Sequence, residues 1–111
     1  MSFDFGDIIL VPFPFTDQTT TKKRPAVVVS SSEYQRRRPD IVLMAVTSQA
    51  RPSPLYGDLV ITEWEQARLL KPSIIKPVVT TIHKKLVLKR LGKLQPADIE
   101  GLRALLAEIL H

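Results

Sequence analysis

Cysteine is absent from the 111-residue chain, which excludes disulfides, thiolate metal sites and a cysteine nucleophile. Long apolar runs are also missing, because stretches such as residues 8–11 and 41–46 are far too short to span a bilayer. The first residues have neither a basic region nor an apolar core of signal-peptide type, so we expect no signal peptide. The resulting expectation is a protein of the reducing cytoplasm with no membrane association.

Motifs that hold metals or cofactors are missing as well. There is no glycine-rich phosphate loop, no clustered pair of carboxylates and no His-x-x-x-His spacing, so we expect neither a metal nor a cofactor. The two histidines are His83 and His111. His83 could shuttle protons near neutral pH, but a lone histidine at a strand end is more often structural. His111 is the last residue of the chain and is expected to be frayed.

The remaining composition is that of a soluble globular protein with an excess of positive charge. Hydrophobic residues make up 44% and charged residues 24%, and the length suits one domain over residues 1–111. The formal net charge is +5. Residues 71–93 contain seven basic side chains and no acidic one, and residues 22–38 contain six against Glu33 alone. This segregation predicts one basic face that attracts polyanions.

Short β-branched runs predict a sheet of six or seven strands. The clearest strands are residues 7–11, 26–30, 41–47, 58–61 and 73–82, and Pro77 makes the last of these a bulged or an edge strand. Residues 84–94 are compatible with helix or strand. Residues 12–24, 31–40 and 50–57 are predicted to be connections, and the first is long enough to suggest a functional loop.

Two helices are predicted. The pattern Thr62-x-x-Glu65 is a capping box, which predicts a short helix over residues 62–69. Pro96 suits a first helical turn, and apolar residues at helical spacing follow it to the end of the chain. Because strands and helices do not alternate, a parallel sheet is disfavoured. The fold class is therefore mainly β (α+β), with a small, strongly bent antiparallel sheet or partly open barrel.

Three segments occur in a characteristic order: GDIILVPF at residues 6–13, KRPAVVVS at 23–30 and AVTS at 45–48. PSIIK at residues 72–76 and LGKL at 91–94 follow at matching distances. Together they resemble the MazF/PemK/Kid toxins, in the PemK-like branch. The resemblance implies an SH3-like barrel, a homodimer and a cognate antitoxin that blocks the active groove. It also implies metal-independent, sequence-selective cleavage of single-stranded RNA that leaves 2′,3′-cyclic phosphate ends.

The resemblance places two catalytic residues at Arg24 and Thr47. Arg24 stands where the long loop meets a buried strand, and a guanidinium stays charged and matches phosphate oxygens. Thr47 ends a strand, where its hydroxyl could donate to a phosphate. The candidate RNA-binding residues are Phe15, Gln18, Lys22, Lys23, Ser48, Gln49 and Lys76.

The chain departs from the family pattern at the proton-transfer groups. Lys76 matches the place of a catalytic arginine in some members, but Val78 stands where those members have an aspartate. Gln18 is the nearest match to a loop histidine. The general acid and base therefore do not carry over. Two alternatives stay open, a same-fold toxin that binds a protein, as gyrase poisons of the CcdB type do, and an RNA-binding module without catalysis.

Overall fold

The computed structural model describes residues 2–13, 22–48 and 54–110. These residues form six strands and two helices: β1 (Asp7–Phe13), β2 (Lys22–Val28), α1 (Ser32–Arg37), β3 (Asp40–Ser48), β4 (Leu59–Val60), β5 (Ser73–His83), β6 (Lys89–Lys93) and α2 (Pro96–Ile109). The strands make one sheet in the order β4-β5-β3-β2-β1-β6, and every neighbouring pair is antiparallel. The predicted mainly β, antiparallel fold class is confirmed.

The sheet is buried on both faces, which explains why its central strands are continuously apolar. Val27 packs in one cluster with residues of α2, such as Leu102, whereas its neighbour Val28 packs in a second cluster with Ile9. The curled sheet thus forms a partly open barrel. The chain after β4 lies across β6 at Gly92, on the side where the sheet would otherwise end.

Several elements agree with the sequence prediction. Strand β5 is bulged rather than broken, because its register against β3 shifts between Met44 and Val46, beside Pro77. Proline cannot donate a ladder hydrogen bond, and a register shift accommodates it. The closing helix α2 begins at Pro96, as predicted. Residues 84–94, left open between helix and strand, form a 3₁₀ turn (Lys84–Leu86) and then β6.

The predicted connections are shorter than expected. The sequence predicts a loop for residues 12–13 and 22–24, but Pro12 pairs with Lys23 and Phe13 with Lys22 in the β1–β2 ladder. Cross-strand pairing outweighs the low strand propensity of this segment. The connection over residues 31–40 contains helix α1, whose first turn is capped by the Ser31 hydroxyl at 3.1 Å from the Tyr34 amide.

The predicted helix over residues 62–69 is wrong. This segment is a turn, and its orphan amides are satisfied from another element instead of by Glu65. The Asp98 carboxylate of α2 accepts hydrogen bonds from the Thr62 amide at 3.0 Å and from the Glu63 amide at 2.9 Å. A tertiary carboxylate replaces the local capping box, so the chain need not continue as a helix.

In the described part of the chain, no helix is long and apolar enough to cross a membrane.

Candidate nucleic-acid cleft

A cleft of about 710 Å³ opens where the ends of β2 and β3 meet the chain segment that follows β4. We call it the basic cleft. Its apolar floor includes Leu10 of β1, Val46 of β3 and Leu91 of β6. Its polar and charged lining comprises Lys22, Lys23, Arg24, Thr47, Ser48, Arg68, Lys71, Ser73 and Lys89. The cleft therefore combines apolar surface with cations and hydroxyls.

The pairing of β2 with β3 brings the two predicted catalytic residues together. The printed register pairs Ala26 with Ala45 and Val27 with Met44. Beyond this paired stretch, Arg24 precedes Ala26 on β2 and Thr47 follows Ala45 on β3, so both lie at the same end of the strand pair. Both side chains are half-buried and both line the basic cleft. A guanidinium and a hydroxyl therefore line the same cleft from neighbouring strands.

The second wall is built by the segment after β4 and by β6. Arg68 and Lys71 lie on this segment, and Lys89 begins β6, where it pairs with Leu10 of β1. The buried Ser73 hydroxyl donates to the Lys71 carbonyl at 2.9 Å, which fixes the chain where it enters β5. Cations from two elements thus face the cleft in addition to those of β2.

Gly92 explains how this second wall is held against the sheet. A Cβ atom at position 92 would lie 2.1 Å from the Ala67 carbonyl oxygen, a distance that no real contact reaches. Only glycine allows β6 and the turn over residues 62–68 to approach so closely. The buried side chains of Ala67 and Leu69 add apolar packing to the same contact. The backbone that carries Arg68 is therefore anchored on both sides.

Most of the charged side chains in the cleft make no ion pair with the residues that the structure describes. Its described lining includes six basic residues and no aspartate, glutamate or histidine. Among residues 2–13, 22–48 and 54–110, five of these cations make no ion pair: Lys22, Lys23, Arg68, Lys71 and Lys89. Unpaired charge concentrated in a concave site raises the local potential and attracts an anionic ligand.

Basic residues away from the cleft behave differently, since most of them have a carboxylate partner. The paired residues are Arg36, Arg37, Arg38, Lys76, Arg90 and Lys93. On α1, hydrogen bonds from Arg37 and Arg36 hold the pKa of the Glu33 carboxyl below its usual value. Among the described residues, most basic side chains outside the cleft are ion-paired and five inside it are not, a distinction that the linear charge pattern could not give.

The cleft gathers five of the predicted site residues. They are Lys22, Lys23, Arg24, Thr47 and Ser48. Lys76 is not among the lining residues, and its ammonium lies 3.7 Å from the buried Asp58 carboxylate. Phe15, Gln18 and Gln49 lie outside the described residues.

Four polar or charged lining residues are not among the sequence candidates: Arg68, Lys71, Ser73 and Lys89. Lys71 and Lys89 belong to the basic stretch over residues 71–93, so charge was the available signal for them. No sequence signal distinguishes Arg68, which depends on the turn that replaces the predicted helix.

The groups considered for proton transfer lie elsewhere or lack the chemistry. The His83 Nδ1 atom accepts a hydrogen bond from the Lys85 amide at 3.1 Å and thereby caps the 3₁₀ turn. His83 pairs with Asp40 at the other end of β3 from Thr47. Val78 is exposed beside Pro77. In the described parts of the chain, His, Cys, Asp and Glu side chains do not gather into groups that could hold a metal ion.

The curled sheet and its cleft define a small, mainly β protein with a strongly basic concave site. Residues 4–110 match the model of the family described as PemK-like, MazF-like toxin of type II toxin–antitoxin system. The chain belongs to this family. A comparison with curated proteins gives no match.

Solved structures with the same fold include three toxins of low sequence identity. An endoribonuclease from a mycobacterial species, in complex with its cognate antitoxin, is 16% identical with a TM-score of 0.76, over 98% of this chain and 93% of that one. A MazE–MazF complex from Deinococcus radiodurans is 16% identical with a TM-score of 0.73, over 99% and 96%. The Mycobacterium tuberculosis toxin MazF-mt6 is 14% identical with a TM-score of 0.73, over 92% and 93%. At these identities the likeness concerns the fold.

Proposed function

We propose that this toxin is an endoribonuclease that cuts single-stranded RNA without a metal ion. The observation that carries the proposal is that Arg24 and Thr47 line one cleft, in which the other five cations make no ion pair with the described residues. Two of the structural neighbours are described as endoribonucleases, which supports the same reaction class. RNA supplies both the anionic backbone that the cleft fits and the internal nucleophile that the reaction needs.

In the proposed reaction the ribose 2′-oxygen attacks the adjacent phosphorus and the bond from phosphorus to the 5′-oxygen breaks. The 2′-hydroxyl loses its proton and the departing 5′-oxygen gains one, which leaves a 2′,3′-cyclic phosphate and a free 5′-hydroxyl. Negative charge grows on the phosphate oxygens as the new bond forms. The Arg24 guanidinium stabilises this charge with parallel hydrogen bonds, and the Thr47 hydroxyl donates one more.

Proton transfer in this proposal relies on solvent. The described lining of the cleft has no carboxylate or imidazole, and the position of the family's aspartate is occupied by Val78. Water can accept the 2′-proton and supply one to the 5′-oxygen, although less efficiently than a positioned side chain, which typically contributes about 10²–10⁴-fold. We therefore expect slower cleavage than in members with both proton-transfer groups.

The proposed partners follow from the family. A mycobacterial neighbour is described in complex with its cognate antitoxin and the Deinococcus radiodurans toxin is described with MazE, so we propose a cognate antitoxin protein for this chain as well. We also propose a homodimer that acts in the cytoplasm, where RNA and antitoxin meet. Light scattering at micromolar concentration tests the dimer, and a monomer mass would contradict it.

One incubation tests the main proposal. The pure protein is mixed with a long single-stranded RNA in excess EDTA, beside the same sequence as DNA and as RNA annealed to its complement. We expect discrete fragments from the single-stranded RNA alone, with 3′ ends that resist ligation until the cyclic phosphate has been opened and the resulting phosphate removed. Cleavage that stops in EDTA and returns with Mg²⁺ would contradict the mechanism. RNA binding without fragments would support the RNA-binding module without catalysis. The absence of both binding and cleavage would favour a toxin that binds a protein.

A further inference from the structure

Arg68 has an unusual backbone for its residue type. Its φ is +67°, in the left-handed region where glycine is comfortable and a residue with a Cβ is strained. In the part of the chain that the structure describes, it is the one non-glycine residue with positive φ. A strained residue persists only where the surrounding structure fixes it, and such residues concentrate at functional sites. The chain has a charged arginine at a position where glycine would have the lower conformational free energy.

The surroundings of Arg68 do fix it. The Leu69 amide donates to the Trp64 carbonyl at 3.0 Å and the Arg68 amide donates to the Glu65 carbonyl at 3.0 Å. On the N-terminal side, the Ala67 carbonyl sits against the glycine of β6. The turn is therefore held on both sides of Arg68, and its guanidinium starts from a defined point at the rim of the basic cleft. Such preorganisation lowers the entropy lost on binding.

The acidic side chains in the neighbouring cavity do not neutralise the Arg68 guanidinium. Acidic residues do lie on the side of Arg68 away from the basic cleft, where Asp4 and Asp7 line a second cavity. Both carboxylates form ion pairs with other residues, because Asp7 lies 3.2 Å from Arg90 and Asp4 lies 3.8 Å from Lys93. Among the described residues, Arg68 itself makes no ion pair.

We propose that Arg68, together with Lys71 and Lys89, binds a phosphate of the RNA that flanks the scissile one. The three cations belong to the second wall of the basic cleft, whereas Arg24 and Thr47 belong to the wall formed by β2 and β3. A strand of RNA that places one phosphate at Arg24 thus meets a second cationic group in the same cleft. The inference rests on the proposed function and identifies a subsite within it.

The test uses one peculiarity of the site, which is that glycine is the residue its backbone prefers. Arg68→Gly removes the guanidinium without disturbing the turn, so the variant should unfold at no lower temperature than the parent. Arg68→Gln is a second neutral variant. Its side chain has a Cβ atom, so the backbone strain at position 68 stays as in the parent. Lys85→Ala removes one charge from an exposed residue outside the cleft and is the control.

Binding is measured on a 2′-O-methyl oligonucleotide whose sequence comes from a parental cleavage site, because the blocked 2′-oxygen prevents turnover. We expect both neutral variants to bind about tenfold more weakly at low salt, since a hydrogen bond to a charged group is lost. The dependence of log affinity on log salt should become shallower by about 0.7. The control Lys85→Ala should match the parent in both respects.

A set of oligonucleotides with one neutral methylphosphonate each locates the phosphate. One flanking methylphosphonate should weaken the parent more than Arg68→Gly, because the variant has already lost the Arg68 contact and keeps only Lys71 and Lys89 at that phosphate. Parental affinity in both neutral variants, or an equal loss in Lys85→Ala, would overturn the inference. A parent that neither binds nor cuts RNA would overturn the proposed function instead, so the two failures are distinguishable.

Discussion

The Asp98 side-chain oxygen Oδ1 accepts two hydrogen bonds from Thr62, one from its amide at 3.0 Å and one from its hydroxyl at 2.8 Å. The other carboxylate oxygen accepts the Glu63 amide at 2.9 Å. Asp98 is 3% exposed. Helix α2 is thereby joined to the turn whose far end carries Arg68 into the basic cleft.

Asp98→Asn should destabilise the fold. Asparagine can keep both bonds to Thr62 through its oxygen, but its amide nitrogen would face the Glu63 amide, donor against donor. Leaving a buried amide without an acceptor costs about 1–3 kcal/mol. Urea unfolding of the two proteins gives this difference directly.

The matched control for that change is Glu100→Gln, on the same helix but exposed. It should lie within about 0.5 kcal/mol of the parent, as surface substitutions usually do. Equal stabilities for Asp98→Asn and the parent would show that the carboxylate does not hold the turn.

Gly92→Ala should be strongly destabilising, because the new methyl group would meet the Ala67 carbonyl carbon at 2.8 Å and its oxygen at 2.1 Å. Both atoms are backbone, so β6 or the turn has to move. Overpacking of this kind costs about 1–3 kcal/mol or more. Thermal unfolding followed by circular dichroism is the measurement.

Gly101→Ala tests the same substitution in a different setting. Position 101 lies inside helix α2, and its new methyl group would meet only the flexible Leu59 side chain at 3.3 Å. Alanine is favoured over glycine in a helix by about 1 kcal/mol, so this variant should be neutral or more stable. Gly92→Ala should therefore lower the unfolding temperature, whereas Gly101→Ala should leave it unchanged or raise it, and equal falls would contradict the close-contact argument.

The sequence predicts the sheet well because β-branched runs are local signals. Residues 41–47 and 73–82 could be assigned to strands from composition alone, and the bulge at Pro77 follows from its missing amide proton. The turn over residues 62–68 could not be predicted in the same way. Thr62 and Glu65 fit a capping box, and the competing partner, Asp98, is remote in sequence.

The residues of the candidate site likewise include some that local sequence predicts and some that it does not. Arg24 and Thr47 could be named from segment order, and both line the basic cleft at the same end of the β2–β3 pair. Arg68 could not be named, because its position in the cleft depends on a close contact at Gly92 and on a backbone angle that arginine rarely adopts. Contacts between distant segments leave no periodic pattern in the sequence.

RNA affinity should fall steeply with salt, because each single-strand phosphate neutralised contributes about 0.7 to the slope of log affinity against log salt. Lys22→Ala and Lys23→Ala should each make that slope shallower, since these cations line the cleft without a protein partner in the described structure. Arg36→Ala and Arg37→Ala are the controls, because both residues pair with Glu33 on α1. Equal effects from all four variants would mean that net charge alone governs binding.

Arg24→Ala should nearly abolish cleavage while RNA binding is affected much less. The guanidinium would stabilise charge that grows mainly in the transition state, so its loss falls on the rate of the chemical step. Removing one such donor typically costs a factor of about 10²–10³. Arg24→Lys should recover only part of the rate, because an ammonium cannot offer two parallel hydrogen bonds. Thr47→Ala should be less severe but clear.

His83→Ala is the comparison that decides whether Arg24 marks the site. His83 could in principle transfer protons, but its Nδ1 atom is engaged with the Lys85 amide and the residue is not among those that line the cleft. Its removal should leave the rate within a few-fold of the parent, provided that circular dichroism shows both variants folded. An active Arg24→Ala beside an inactive His83→Ala would move the catalytic site away from the cleft, because the chemistry would then depend on the imidazole and not on the guanidinium.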